Sequence, residues 1–581
     1  MTSASPTATR KFNVELIKPS RYDEDGYVIQ WRIAYIPSNS LAAVDALVQN
    51  VADVLPLGKE VDLEVRSFDE CHTVIPVKEI IRRIKADDGI VFLVGVQTNQ
   101  FPRAVDLARE FIAAGVRVVI GGFHISGCLS MLDEIPVDIV EAQELGITLF
   151  AGEAEGRMED LLQDALNDEL KPLYNYLSDL PNLDGQVVPY LDPSIVERYQ
   201  KNFVSFDAGR GCPFQCSFCT IINVQGRKSR HRTADDIEEI IRRNVGLNRR
   251  RYFITDDDFA RNTNWEPILD RIIKLREEEG IKIKFTLQVD TQAHRIKNFV
   301  EKARRAGCNR VFLGLENVNP ENLIAANKRQ NKISDYREML LKWRKHNVFT
   351  YAGYILGFPA DTPESIERDI ETIKRELPID CLEFFVLTPL PGSADHKALY
   401  ESGVELDPDM NKYDLEHVTT VHPKMSREEL SDIYDRAWDL YYTPEHVETL
   451  MRRSEVSGGK ARRISRMVMQ FWGSNHFEGV HPLQSGLFRK KVRLSRRYGL
   501  PKENPIIFYP RRLWEMLSTY VPAAWHYFKL DQQQRRIHAD PNKLEYTDEA
   551  LTPSQTDEHS QEDPLHQKAT NERAEFLTEN A

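Results

Sequence analysis

Gly209-Arg-Gly-Cys-Pro-Phe-Gln-Cys-Ser-Phe-Cys-Thr220 sets Cys212, Cys216 and Cys219 in a CxxxCxxC spacing, directly after a predicted strand at Phe203–Asp207. Three thiolates this close in sequence converge on one centre only if the loop wraps tightly around it. Soft thiolates select zinc or iron–sulfur clusters. A structural zinc normally takes four ligands, and no fourth cysteine lies nearby, Cys308 and Cys381 being remote and isolated. A [4Fe–4S] cube held by three cysteines keeps one iron free for an outside ligand, and reactivity would sit at that corner. Spacing alone leaves two alternatives: buried structural cysteines, or a zinc knuckle with a distant fourth ligand.

Around this loop the chain alternates strand-like and helix-like segments. Predicted strands at Phe203–Asp207, Tyr252–Thr255, Lys284–Val289, Arg310–Gly314, Thr350–Leu356 and Leu382–Leu387 are separated by helical stretches at Ala234–Val245, Trp265–Glu279, Lys297–Ala306, Asp335–His346 and Pro363–Glu376. Six strands each followed by a helix or loop fit a partial barrel better than an open sheet. Upstream, strands at Arg32–Ile36, Val61–Val65, Gly89–Val96 and Val116–Ile120 alternate with helices and imply a doubly wound parallel sheet. The expected organisation is α/β throughout the first two units. It comprises an N-terminal extension (1–30), a doubly wound domain (31–170), a connector (171–201), a partial (β/α)6 barrel (202–425), a mostly helical basic region (426–546) and a disordered acidic tail (547–581).

The cysteine triplet, with aromatic Phe218 before its last Cys, resembles the signature of the radical S-adenosylmethionine (radical SAM) enzymes. The resemblance implies a [4Fe–4S] cluster on Cys212, Cys216 and Cys219 whose free iron is chelated by S-adenosylmethionine, cleaved on reduction to a 5′-deoxyadenosyl radical that abstracts hydrogen from a substrate. It also implies places for the remaining contacts. Asp256 and Asp257, in Thr255-Asp-Asp-Asp-Phe259, stand where the family receives the methionine ammonium. Gln288 and Glu316 could hydrogen-bond the carboxylate or ribose. Gly353, Ile355 and Gly357, in Gly353-Tyr-Ile-Leu-Gly-Phe-Pro359, resemble the adenine-side strand, and Thr388-Pro-Leu-Pro-Gly392 closes the sixth strand as the family does.

The domain ahead of the barrel is similar to that of the cobalamin-binding branch of the same superfamily, which includes methylases and a cyclase. The resemblance rests on Gly95-Val-Gln-Thr-Asn-Gln100, Gly121-Gly-Phe-His124 and Ala151-Gly-Glu-Ala-Glu-Gly156. It marks Gln97, Thr98, Gly121, Gly122 and His124 as candidate cofactor-pocket residues, since ligands bind such sheets at the carboxyl ends of the strands. One departure stands out. The Asp-x-His-x-x-Gly of cobalt-ligating domains is absent from Tyr35–Ser40, and His72 lacks the glycine. Cobalamin would then bind without a protein imidazole on cobalt.

Composition narrows the rest. The 581 residues carry 76 Lys and Arg against 89 Asp and Glu, a net −13, which argues against general nucleic-acid binding. Seven cysteines are too few for a disulfide scaffold of this size. No apolar run approaches the ~20 residues of a membrane span, and the first residues have no signal-peptide pattern. A cytoplasmic setting is therefore expected, and the resemblance implies a small-molecule substrate and a reducing donor such as flavodoxin or ferredoxin. Met451–Glu515 carries fifteen basic and four acidic residues interleaved with aromatics; an anionic substrate, a membrane surface or nucleic acid would each account for it, and a solvated basic face on a small helical domain covering the barrel mouth is the expectation. Three functions follow: a radical SAM enzyme with cobalamin-dependent methyl transfer, a radical SAM cyclase, oxidoreductase or rearrangement enzyme without cobalamin, and an iron–sulfur sensor or scaffold.

Overall fold

The computed structural model describes residues 10–553 apart from Lys59, Lys201 and Arg329. The N-terminal sheet is parallel throughout, in the spatial order Val61–Asp69, Arg10–Lys18, Gly89–Leu93, Arg117–Gly121, Thr148–Ala151, Leu173–Asn175. Its second strand lies inside the segment expected to be an extension. The reading failed there because polar residues interrupt the apolar pattern: Asn13 and Glu15 are buried, held by Arg66 (3.0 Å) and Arg83 (2.9 Å). The strand expected at Arg32–Ile36 forms as Gln30–Ala34, yet it is not in this sheet. It pairs antiparallel with Gly486–Lys490, far along the chain.

The second sheet keeps chain order, from Phe203–Phe206 through Arg251–Ile254, Lys284–Val289, Cys308–Glu316 and Phe349–Leu356 to Cys381–Val386, all parallel. Its first and last strands are not paired, so the barrel is partial. The helices outside it start on local signals. Thr233 and Thr362 form reciprocal caps, and Pro363 occupies the first turn. Ile366, Ile370 and Ile373 recur at helical spacing and are buried.

One continuous apolar cluster runs from one face of the N-terminal sheet through the barrel to the C-terminal helices, and a second fills the other face of that sheet. The two units also meet backbone to backbone: a Cβ on Gly127 would lie 2.2 Å from the Pro391 carbonyl oxygen, and one on Gly392 (φ 97°) 2.8 Å from the Gly127 Cα. Helices Arg427–Tyr441, Pro444–Val456, Ala461–Glu478 and Pro505–Ala539 follow. The acidic tail begins later than expected. Asp548 accepts from Arg453 at 2.7 Å and Ala550 is buried, while the remainder of the expected tail, from 554, lies outside the described residues. Among the described residues no helix is long and apolar enough to cross a membrane.

Candidate active site

The cysteine loop leaves the first barrel strand and is fastened from both sides. The Gly211 amide donates to Asp257 Oδ2 at 2.7 Å. Arg210 is buried among three carboxylates, with Nη1 2.6 Å from Glu153 Oε2, Nη2 2.6 Å from Glu155 Oε1 and Nε 3.1 Å from Asp207 Oδ2. Glu153 and Glu155 belong to the Ala151–Gly156 loop of the N-terminal sheet, so a buried ion network ties that sheet to the cysteine loop. Arg210 and Arg232 hold Asp207 well below the usual carboxylate range despite its burial, and Arg210 lowers Glu155 against its burial.

Cys212, Cys216 and Cys219 lie within electrostatic reach of one another. Burial, and to a smaller degree the neighbouring thiols, push Cys212 and Cys219 up to about 12; burial also raises Cys216, which accepts from Gln330 Nε2 at 3.7 Å. Without a cation the three are protonated thiols; a bound metal reverses that balance. Among the described residues no three His, Cys, Asp or Glu side chains gather closely enough for a single ion. Soft thiolates suit an iron–sulfur centre, and three corners of a [4Fe–4S] cube take one thiolate each. The donor set fits the cube.

Several expected contacts converge beside this loop. The strand Cys308–Glu316 slips register between Leu313 and Glu316, and Glu316 takes a left-handed conformation at φ 63°. Such a bulge re-aims a side chain; here Glu316 forms a short, buried ion pair with Lys328. Lys328 Nζ lies 5.7 Å over the Phe218 ring and lowers the pKa of Cys216. Phe218 and Ile355 share an apolar cluster with Ala326, Phe358 and Phe385, separate from the main core. Gly357 (φ 95°) and Phe358 donate to Asp361 at 2.9 and 3.0 Å, which orders that turn.

Other expected contacts fall elsewhere. Asp256 is fully buried and accepts from Asn262 at 2.7 Å, which makes it a support of the turn and leaves Asp257 the more accessible of the two. Burial raises Asp256 to about 6 and Asp257 to about 7. Gln288 donates to the Asp256 carbonyl at 3.4 Å and lines the barrel lumen. Gly353 faces the lumen too, where a Cβ would lie 2.8 Å from Phe385.

The lumen holds a cavity lined by inward residues of successive strands, among them Phe253, Thr286, Phe312 and Tyr351. Glu383 lines it with neither carboxylate oxygen hydrogen-bonded, and burial raises its pKa to about 8. Arg310 lines the same cavity, makes no ion pair among the described residues, and has its pKa lowered by enclosure. Nothing in local sequence pattern marks either residue. A charged type at an inward strand position is the signal that would have found them.

A second cavity lies at the carboxyl edge of the N-terminal sheet. Gly95, Gly121, Gly122 and Gly152 line it together with Ala43, Leu47, Val119 and Met158, and Arg210, Val224 and Gln225 come from the cysteine-loop side. Gly122 has to be glycine, since a Cβ would lie 2.2 Å from the Val96 amide. Gln97 and Thr98 form the short turn after the third strand and do not line this cavity. His124 is also outside it, fully buried with Nε2 2.9 Å from Asp138 and its ring 4.3 Å from Phe101. The true first strand, Arg10–Lys18, is followed by residues 19–38, which contain no histidine; His72 is buried against Tyr199. The absence of a cobalt-ligating motif therefore holds for a different stretch from the one first read.

A parallel partial barrel with a three-cysteine loop after its first strand is the arrangement that the resemblance to the radical SAM enzymes implies. Residues 207–373 match the Radical SAM superfamily. The chain thus carries a radical SAM domain, and the cofactors of that superfamily are a [4Fe–4S] cluster and S-adenosylmethionine. It is 27% identical over 354 residues to the bacteriochlorophyllide d C-8(2)-methyltransferase of Chlorobaculum tepidum, covering 57% of this chain and 73% of that one. Among solved structures, the radical SAM methyltransferase TsrM of Kitasatospora setae superposes with a TM-score of 0.51 at 15% identity, over 68% of this chain and 79% of that one. The cobalamin-dependent enzyme OxsB gives 0.51 at 14% identity, over 98% and 84%. These two likenesses establish a shared fold.

Proposed function

We propose that the chain is a cobalamin-dependent radical SAM methyltransferase acting on a small molecule held in the barrel lumen. The observation that carries the reading is the glycine-lined cavity of the N-terminal sheet, which borders the cysteine loop through Arg210, Val224 and Gln225. A doubly wound sheet binds ligands at that edge, and the methyltransferases that match the chain agree with it. Cys212, Cys216 and Cys219 would hold the cluster. Lys328, Glu316 and Asp257 would contact the polar end of S-adenosylmethionine, with Phe218, Ile355 and Gly357 beside its base. The cavity at Gly95, Gly121 and Gly122 would take the nucleotide tail of a corrinoid with no imidazole on cobalt. When bound, these groups supply an adenosyl radical and a transferable methyl group. The chain's own part is to position and enclose them. Glu383, kept neutral by burial, and Arg310 would orient the substrate, and an external one-electron donor such as flavodoxin or ferredoxin completes the requirement.

Protein made anaerobically in cobalamin-fed cells should carry a corrinoid absorption band and about four irons. Gly121→Leu, at a cavity-lining glycine where a Cβ would make only ordinary contacts, should lose the band and keep the iron. Iron without any corrinoid binding, by absorption or calorimetry, would move the assignment to a radical SAM enzyme that uses its first domain as a platform.

A further inference from the structure

The helix Pro505–Ala539 is gripped on one side only. Phe508 is buried with its ring 5.6 Å from Tyr27, Tyr520 packs on Phe488 at 5.6 Å, His526 meets Trp472 at 4.5 Å, and Leu530 and Ile537 enter the main core. Its other side is open. Ile506, Tyr509, Leu513, Trp514, Val521 and Trp525 are 59–81% exposed. Ile506, Tyr509, Leu513, Val521 and Trp525 recur at three-, four- and eight-residue intervals, and Trp514, seven and eleven residues before Val521 and Trp525, lies on the same stripe. From Pro505 to Phe528 the only charged residues are Arg511, Arg512 and Glu515, and all three are half-buried. An exposed apolar strip of this length marks an interaction site.

Charge and composition point to the occupant. Residues 486–529 carry ten Lys and Arg against two Glu, a net of +8 in a chain of net −13. A positive surplus remains after Asp23, Asp25 and Asp409 pair with Arg489, Lys491 and Arg497. The exposed rings are Trp and Tyr as much as aliphatic, the side chains that favour the headgroup layer. With no spanning helix among the described residues, the element has the character of one that lies in a bilayer surface. We propose that this face docks on an anionic phospholipid bilayer. Helix Ala461–Glu478 packs against the docking helix through Trp472 and lines the lumen with Met467, Gln470 and Phe471. One helix would therefore separate the lumen from lipid. The proposal does not depend on which cofactor the N-terminal cavity takes.

Flotation of the full chain with vesicles tests it. The protein should float with vesicles of phosphatidylcholine and phosphatidylglycerol in equal parts, and much less with phosphatidylcholine alone or at high salt. The double variant Trp514→Ser, Trp525→Ser should bind at least about tenfold more weakly at an unchanged melting temperature, because both rings are exposed. Brominated phospholipid should quench tryptophan fluorescence of the unmodified chain, a readout that needs no variant. No flotation with either vesicle, equal flotation of wild type and double variant, or a dimer in solution that the same double substitution dissociates would each overturn the proposal.

Discussion

The two cavities are built on opposite principles. The cavity of the N-terminal sheet is formed by missing side chains. Glycines let strands and loops approach so closely that a Cβ at Gly122 would sit inside the neighbouring backbone. The lumen cavity is lined by large side chains, among them Phe253, Phe312 and Tyr351, and among the described residues Glu383 faces it with no hydrogen bond to its carboxylate and Arg310 with no ion pair. The first selects by shape, and its ligand meets bare backbone. The second selects by charge and hydrogen bonding, because a ligand that fails to satisfy a buried polar group forfeits about 1–3 kcal/mol for each one left unmade. A bulky cofactor of fixed structure suits the first design, and a substrate that must be told from near relatives suits the second.

The contrast can be broken at three points. The largest effect is expected at the cysteine loop. Cys212→Ser should bring iron close to zero and abolish 5′-deoxyadenosine formation, while corrinoid binding at the N-terminal cavity persists. Parallel loss of both cofactors would show that the cluster loop and the N-terminal cavity are not independent. Next comes the joint between them. Arg210→Ala leaves Glu153, Glu155 and Asp207 buried without their shared cation, which should destabilise the protein by about 3–5 kcal/mol in chemical denaturation. Asp207 and Glu155 have depressed pKa values in the folded state. Their contribution is therefore complete above their unfolded values near pH ~4 and is lost as pH falls through the folded ones. Acid should thus narrow the gap between wild type and variant.

The smallest effect is the most diagnostic of the lumen. The carboxyl of Glu383 is raised to about 8. Between its unfolded value and that one, folding takes up a proton and grows less favourable as pH rises. Glu383→Gln should raise the melting temperature, by roughly 2 °C or more for a protein of this size, and by more at pH 8 than at pH 5. A pH-independent difference would mean that Glu383 is ionised in the folded chain.

The barrel was legible because its signals are local. Most strands are short apolar runs, two of the helices begin on reciprocal threonine caps, and the thiol spacing lies within one loop. The strand Arg10–Lys18 was not legible, since Asn13 and Glu15 break its pattern and their arginine partners are distant in sequence. The same physics hid Lys328, Glu153 and Glu155, whose meaning comes from the tertiary neighbours Glu316 and Arg210. His124 misled in the opposite direction. Its position after a glycine pair suggested a ligand pocket, whereas its hydrogen bond to Asp138 and its burial make it an internal brace.

The pairing of Gln30–Ala34 with Gly486–Lys490 sets an order on biosynthesis. A nascent chain can shape both sheets from its first four hundred residues, but this clasp waits until residue 490 has emerged from the ribosome. Contacts so remote in sequence form late. The nearly finished polypeptide therefore passes through an interval in which its two sheets exist and its closing latch does not.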